Sequence, residues 1–397
     1  MSAVQVPPSW RHVGRHALFP EAGHDDVARF DFLANLNTLI ASEVLPALRQ
    51  AYEQRTKPAF VRTHGRPPGD RHEAHEALRG ERLWQIFGAL RRASMEMRQQ
   101  TGRTLVLRQL PQLLAKARAL NEGAPTLRLD PSIEQPRYAS AVDIHCMPGG
   151  YHGELVPEDV SAGANYDCGL FATTAGMLGR YSDGGGRALA AWLRAEHPDF
   201  RPRRILDLGC TVGHNVVPLA QAFPDAEVVA VDTAAPVLRY GHARARSLGV
   251  RNLCFVQANA ECLPFPDAHF ELVTSAMFWH ETSARALPRI LAEVHRLLAP
   301  GGLTLHLEQP QYTPEMDPFE QAMRDWDAHY NNEPFWSAMH ELDPRRMLVE
   351  AGFRPADCFE FPLRAEVDRE VFPEAGTGQE DYGRTPLWTV FGAWKRD

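Results

Sequence analysis

The segment Arg204–Asp232, RILDLGCTVGHNVVPLAQAFPDAEVVAVD, constrains the fold more than any other stretch of the chain. Ile205, Leu206 and Leu208 form a short apolar run suited to a buried parallel strand. The turn after it, Asp207-Leu208-Gly209-Cys210-Thr211-Val212-Gly213, has glycine at its first and last bend, which lets the backbone come close to a ligand. Val216, Val217, Leu219 and Ala220 then follow helical spacing, and Val228–Val231 is a second apolar run that ends in an acid, Asp232. An acid about twenty residues past a glycine turn sits where a nucleotide ribose presents its hydroxyls, and a carboxylate accepts hydrogen bonds from both.

The turn's spacing narrows the ligand. A dinucleotide fold uses G-x-G-x-x-G and rests the pyrophosphate on a helix N-terminus. Here the spacing is Gly209-x-x-x-Gly213, with Asp207 inside the turn. That carboxylate repels a pyrophosphate and attracts the ammonium of an amino acid. The pattern therefore points away from a nicotinamide dehydrogenase and toward S-adenosylmethionine (SAM), a nucleoside joined to methionine.

Further segments follow in order: Asn259-Ala260-Glu261-Cys262-Leu263-Pro264-Phe265-Pro266-Asp267, Phe270-Glu271-Leu272-Val273 and Leu298-Ala299-Pro300-Gly301-Gly302. With Asp207, Gly209, Gly213 and Asp232, they resemble the class I SAM-dependent methyltransferases, in particular the "type 11", ubiquinone/menaquinone-methyltransferase-like branch. The resemblance is strongest over residues 203–302. Thr211 stands where the family's glycine turn has its middle glycine, Asn259 where an acid is usual, and Glu271 where Asp is usual. The resemblance implies a Rossmann-like, doubly wound, seven-stranded α/β sheet with one antiparallel strand. It places Asp207, Gly209 and Gly213 at the methionine end of SAM, Asp232 at the ribose, and Asn259 and Ala260 at the adenine. Tyr166, in a Tyr-Asp pair that the family carries in the segment closing over the cofactor, would contact the methionine end.

The chain of 397 residues has room for two domains. Its formal net charge of −8 gives no long-range attraction to a phosphate backbone, so nucleic acid is a poor default partner. No apolar run approaches the ~20 residues of a membrane helix. The first residues lack the apolar core of a signal peptide, and the six scattered cysteines, with no C-x-x-C, suit reduced thiols. These features predict a cytoplasmic protein that does not enter a membrane.

Apolar spacing predicts helices over 25–55, with a possible kink at Pro46, over 73–101, and over 105–121, with a possible bend at Pro111. Residues 57–70 read as a loop and Asp183-Gly184-Gly185-Gly186 as a flexible turn. The expected organisation is an N-terminal helical domain over 1–125, a linker and lid or substrate loop over 126–180, and a SAM-binding domain over 181–397. An insertion of about 308–340 would cover the acceptor, and the N-terminal helices would wall the pocket or form a homodimer. A helix is expected from about Leu170, with Asp167 as a possible N-cap.

Two clusters have metal-binding residue types. His72-Glu73-Ala74-His75 spaces its histidines three apart rather than the four of H-E-x-x-H, and His145, Cys146, His152 and Glu154 match no metal motif. No metal is expected. The glycine-rich loop 143–154 instead supplies His145, Tyr151 and His152 as acceptor-pocket candidates. The loop after the fourth core strand adds Trp279 and His280, and the aromatic, amide-rich segment 317–336 adds Trp326, Tyr330, Asn332 and Trp336. His280, with its pKa near neutrality, and Tyr166 are the candidate catalytic groups. The activity predicted is methyl transfer from SAM to a small organic acceptor by in-line displacement. Methylation of protein or RNA, or a non-catalytic SAM-binding scaffold, are the alternatives.

Overall fold

Eight strands form one mixed sheet in a computed structural model that describes residues 6–367, Val371 and residues 387–396. They are β1 (Leu127–Arg128), β2 (Arg204–Leu208), β3 (Glu227–Asp232), β4 (Leu253–Gln257), β5 (Phe270–Ala276), β6 (Leu298–Glu308), β7 (Cys358–Arg364) and β8 (Leu387–Lys395). Their order is β1-β4-β3-β2-β5-β6-β8-β7, and only β8 runs antiparallel to its neighbours. From β2 the chain builds outward to β3 and β4 on one side, and then to β5 and β6 on the other. The carboxyl ends of β2 and β5 therefore flank the switch point where such sheets bind ligands. The eighth strand is the departure from expectation: within the expected linker, Leu127 and Arg128 pair with Phe255 and Val256 on the edge of β4.

Period-two alternation divides the strands between two cores. Leu206, Leu208 and Val229 pack with Ile290, Leu291 and Val294 of the helix Ala286–Leu297 on one face. Ile205, Val228 and Ala230 pack with Leu189 and Leu193 on the other. Those two leucines lie on the helix Gly184–Glu196, which begins at the glycines read as a flexible turn. Here the glycines serve close approach. A Cβ on Gly185 would stand 2.7 Å from Asn215 Oδ1 and 3.1 Å from Trp388, and Gly186 N–H donates to that same Asn215 oxygen at 2.9 Å.

The helices of the N-terminal region share a third core with the sheet region. Trp10, Phe30, Leu105 and Phe171 cluster with Val237 and Tyr240 of the helix Ala235–Ser247. Trp10 stacks on Phe30 at 4.7 Å and donates Nε1–H to the Cys168 carbonyl at 2.8 Å.

The prolines act differently than expected. Helical backbone runs from His24 to His64 through π-turns at Ile40–Val44 and Tyr52–Thr56, and each π-turn ends two residues before a proline, Pro46 or Pro58. A wide turn there accommodates a ring that clashes with the carbonyl four residues back and leaves no donor to be missed. The helix thus absorbs Pro46 and continues through part of the expected loop. Pro111 sits in the first turn of Leu110–Asn121, where proline is tolerated, and the second predicted helix splits into Arg71–Leu78 and Arg82–Leu107.

Candidate active site

A cavity of about 740 Å³ lies beyond the carboxyl ends of β2, β3 and β5 and is lined in one continuous surface by both halves of the predicted site. Asp207, Gly209, Asp232, Asn259 and Ala260 line it. Asp232 accepts backbone N–H groups from Thr211 at 3.0 Å and Ala234 at 2.9 Å, which aim its carboxylate and leave lone pairs for a ligand. Burial pushes Asp232 up to about 6 despite those N–H groups. Burial also pushes Asp207 up to about 7, opposed by the Thr274 hydroxyl that donates to it at 2.7 Å. Gly209 has φ 66° and the Phe278 ring fills the space a Cβ would take, so only glycine serves there. Gly213 does not line the cavity: with φ 83° it closes the turn, donating its N–H to the Cys210 carbonyl at 2.8 Å. Its expected contact with the ligand is therefore replaced by a role in loop shape. Thr211, in place of the family's glycine, keeps the left-handed backbone at φ 44°.

Tyr166 lines the cavity from the helix Ser161–Thr173 and stacks on His214 of the glycine turn with centroids 5.6 Å apart. Asp167 lies in the middle of that helix, not at its cap. The helix starts earlier than expected, so this acid is buried and gathers donors: His16 Nε2 at 2.8 Å, His214 Nε2 at 2.7 Å and the Tyr240 hydroxyl at 2.9 Å, with Arg244 Nε at 3.6 Å. Burial alone would raise the Asp167 carboxyl, but Arg244 and the two histidines hold it well below its usual range. Burial keeps both imidazoles below their usual pKa, so each donates as a neutral ring.

On the other side of the cavity, His280 sits in a tight turn, Trp279–Glu281, after β5. Its Nδ1 is 2.8 Å from Glu308 Oε2 at the end of β6, while Glu308 Oε1 accepts the N–H groups of Phe278 at 2.7 Å and Trp279 at 2.5 Å. Burial disfavours the charged imidazole, but the Glu308 carboxylate outweighs it and raises the His280 pKa. Trp336 meets the His280 ring edge to face at 4.4 Å. His145 lies between Glu281 (Nε2 to Oε1, 3.1 Å) and Glu333 (Nδ1 to Oε1, 2.5 Å), and Tyr151 donates to Glu281 at 3.0 Å. Burial opposes charge on His145, but the two glutamates raise it to about 10.

Of the eight predicted acceptor residues, His145, Tyr151, His152 and Trp336 line the cavity. The other four do not. Trp279 is buried against His306 and Phe391, and Trp326 fills a core with Tyr52, Phe87 and Phe319 beneath Arg91. Tyr330 packs at a tilt against Trp326 with 38% of its surface exposed, and Asn332 donates to the Asp143 carbonyl outside the cavity. Burial of indole surface decided the positions of Trp279 and Trp326. Glu281, Glu308, Arg91 and Arg98 also belong to this part of the molecule without standing out in the sequence, and Glu333 stands out only as one acid of the cluster in segment 317–336. Arg91, Ser94, Arg98 and Gln99 recur at helical spacing on the buried face of Arg82–Leu107, and such a polar stripe among apolar residues is a readable signal of a polar cavity.

The fold, the turn with its acid and the shared cavity define a nucleoside-binding α/β enzyme, and comparison with known proteins makes the class specific. A family described as a methyltransferase domain matches residues 205–302. The demethylmenaquinone methyltransferase of Symbiobacterium thermophilum is 32% identical over 205 residues, 48% of this chain and 75% of that protein. The ubiquinone/menaquinone biosynthesis C-methyltransferase of Shewanella baltica is 31% identical over 173 residues, 39% of this chain and 67% of that protein. Among solved structures, phosphoethanolamine N-methyltransferase 2 of Haemonchus contortus, in complex with S-adenosyl-L-methionine, covers 52% of each chain at 15% identity with a TM-score of 0.38. The chain belongs to the class I SAM-dependent methyltransferases, in the branch of the ubiquinone and menaquinone methyltransferases. Its cofactor is SAM. No helix among the described residues is long and apolar enough to cross a membrane.

Proposed function

We propose that the enzyme methylates a small organic acceptor bearing an ionisable hydroxyl, held between the loop 143–154, the turn after β5 and the segment 331–336. The single cavity that joins Asp207 and Asp232 to His280 and Glu281 carries this reading, because cofactor and acceptor must meet in one water-excluded space. When bound, SAM supplies an electrophilic methyl group on a sulfonium sulfur. Asp207 offers a carboxylate to its ammonium, Asp232 to its ribose hydroxyls, and Asn259 an amide to its adenine. Tyr166, stacked on His214, bounds the methionine end.

Glu308 engages Nδ1 of His280, which fixes the tautomer and leaves Nε2 to take the acceptor's proton. Deprotonation by His280 gives the acceptor its nucleophilic electron pair, a contribution of roughly 10²–10⁴ in rate. The relatives named for demethylmenaquinone support a ring substrate of quinone or hydroquinone type. Six free cysteines support a reducing compartment such as the cytoplasm. The N-terminal helices supply Arg91 and Arg98 to the cavity wall, which supports an acceptor-side role for the region 1–125. The test is transfer from labelled SAM to a panel of hydroxylated rings by the wild type and His280→Gln. Turnover that falls at least about 100-fold in the variant, with unchanged S-adenosylhomocysteine affinity, is the expected result. Equal turnover by both proteins would remove His280 as the base.

A further inference from the structure

Three segments remote in sequence bring one imidazole and two carboxylates to a single point of the cavity wall. His145 comes from the glycine-rich loop, Glu281 from the turn after β5, and Glu333 from the segment after the helix Pro318–Tyr330. One donor atom from each lies within 4.8 Å of the others. An ion with bonds of about 2.0–2.2 Å spaces opposite ligands by at most about 4.4 Å, so a small closure completes the set.

A second observation points to a cation. Glu333 is 1% exposed, and its Oε2 is buried without a hydrogen-bond donor. His145 Nδ1 at 2.5 Å and Asn331 Nδ2 at 3.5 Å approach only the other oxygen, Oε1. A carboxylate oxygen enclosed without a donor is costly unless a positive charge meets it.

We propose that His145, Glu281 and Glu333 bind one divalent first-row transition cation, Mn²⁺ or Zn²⁺, which holds the oxygen atoms of the acceptor. One imidazole with two carboxylates suits these ions better than Mg²⁺, which prefers oxygen ligands alone and keeps its waters. Three protein ligands leave coordination positions open, as in catalytic rather than structural sites. The open positions face the cavity shared with His280, so a ring with two adjacent oxygens could chelate the ion and present one oxygen to the methyl group. The acceptor half of this inference rests on the methyl-transfer reading above; the metal half does not.

The experiment is calorimetric titration of tag-free, chelator-treated full chain with MnCl₂ and, separately, ZnCl₂, with the free Mn²⁺ signal followed by electron paramagnetic resonance. The expected result is one ion per chain, with affinity lowered at least about tenfold in both Glu333→Gln and Glu281→Gln. S-adenosylhomocysteine affinity in the variants should match that of the wild type, showing that the fold is intact. Equal metal affinity in wild type and variants, or no binding by the wild type, would overturn the site. Failure of the wild type to bind S-adenosylhomocysteine would instead count against the methyltransferase reading, and the metal titration would still decide this one.

Discussion

Asp167→Asn tests how the glycine turn is held against the N-terminal region. The wild-type carboxylate ties together His16 of the N-terminal arm, His214 of the turn, and Tyr240 and Arg244 of the helix Ala235–Ser247. Arg244 is fully buried, and its Nε and Nη1 make no hydrogen bond. An asparagine strands that guanidinium in a low-dielectric site and turns an amide donor toward one of three donors. Removing one partner of a buried ion pair costs about 3–5 kcal/mol. At ~2 °C per kcal/mol for a chain of this size, the midpoint should fall by roughly 6–10 °C in scanning calorimetry. Because the Asp167 carboxyl titrates far below its unfolded value, its contribution is complete above about pH 4 and is lost only as pH falls through the depressed folded pKa. The deficit of the variant should therefore be constant from pH 6 to 8. The double variant Asp167→Asn/Arg244→Met removes the stranded charge and should recover part of the loss. A single variant within about 1 kcal/mol of wild type would refute the reasoning.

Other expectations follow from the turn itself. Thr211 holds φ 44°, which costs a non-glycine residue about 1–2 kcal/mol, so Thr211→Gly should be neutral or stabilising by up to about 1 kcal/mol in urea unfolding, the gain limited by the greater freedom of glycine in the unfolded chain. A clear destabilisation would show that the threonine side chain makes an interaction that outweighs its strain. With Asp232 pushed up to about 6 and Asp207 to about 7, the free enzyme is partly protonated at both in mild acid. Ligand ammonium and hydroxyl groups favour the ionised carboxylates, so S-adenosylhomocysteine affinity should rise about tenfold or more from pH 5 to pH 7, measured by calorimetry. The cofactor-free fold should lose stability over the same range, because its raised pKa values bind protons that the unfolded chain has already released. A flat affinity profile would contradict these assignments.

The strands and the cofactor half of the cavity were legible because each depends on local pattern. Short apolar runs such as Val228–Val231, with an acid at the end, have few other solutions in a parallel sheet. The acceptor half depends on distant segments meeting. Nothing in the local sequence of Glu281 or Glu333 shows that His145 will stand between them. Trp279 and Trp326 read as pocket residues because an aromatic cluster near a site has the same composition as one beneath it. Gly184–Gly186 read as a flexible turn because the reason for glycine, contact with Asn215 and Trp388, lies in another part of the chain. Pro46 reads as a kink, and the stretch 57–70 that holds Pro58 as a loop, because π-turns that absorb prolines have no sequence signature of their own.

The central claim is that Asp232 and the glycine turn bind the nucleoside of SAM. Calorimetric titration of the wild type and Asp232→Ala with S-adenosylhomocysteine, and of the wild type with NADH, tests it most directly. Loss of two hydrogen bonds to a charged acceptor, at about 1.5–3 kcal/mol each, predicts a fall in affinity of at least ~100-fold in the variant. The wild type should bind S-adenosylhomocysteine at micromolar concentration and leave NADH unbound. Equal affinity in wild type and variant, or binding of NADH alone, would contradict the account.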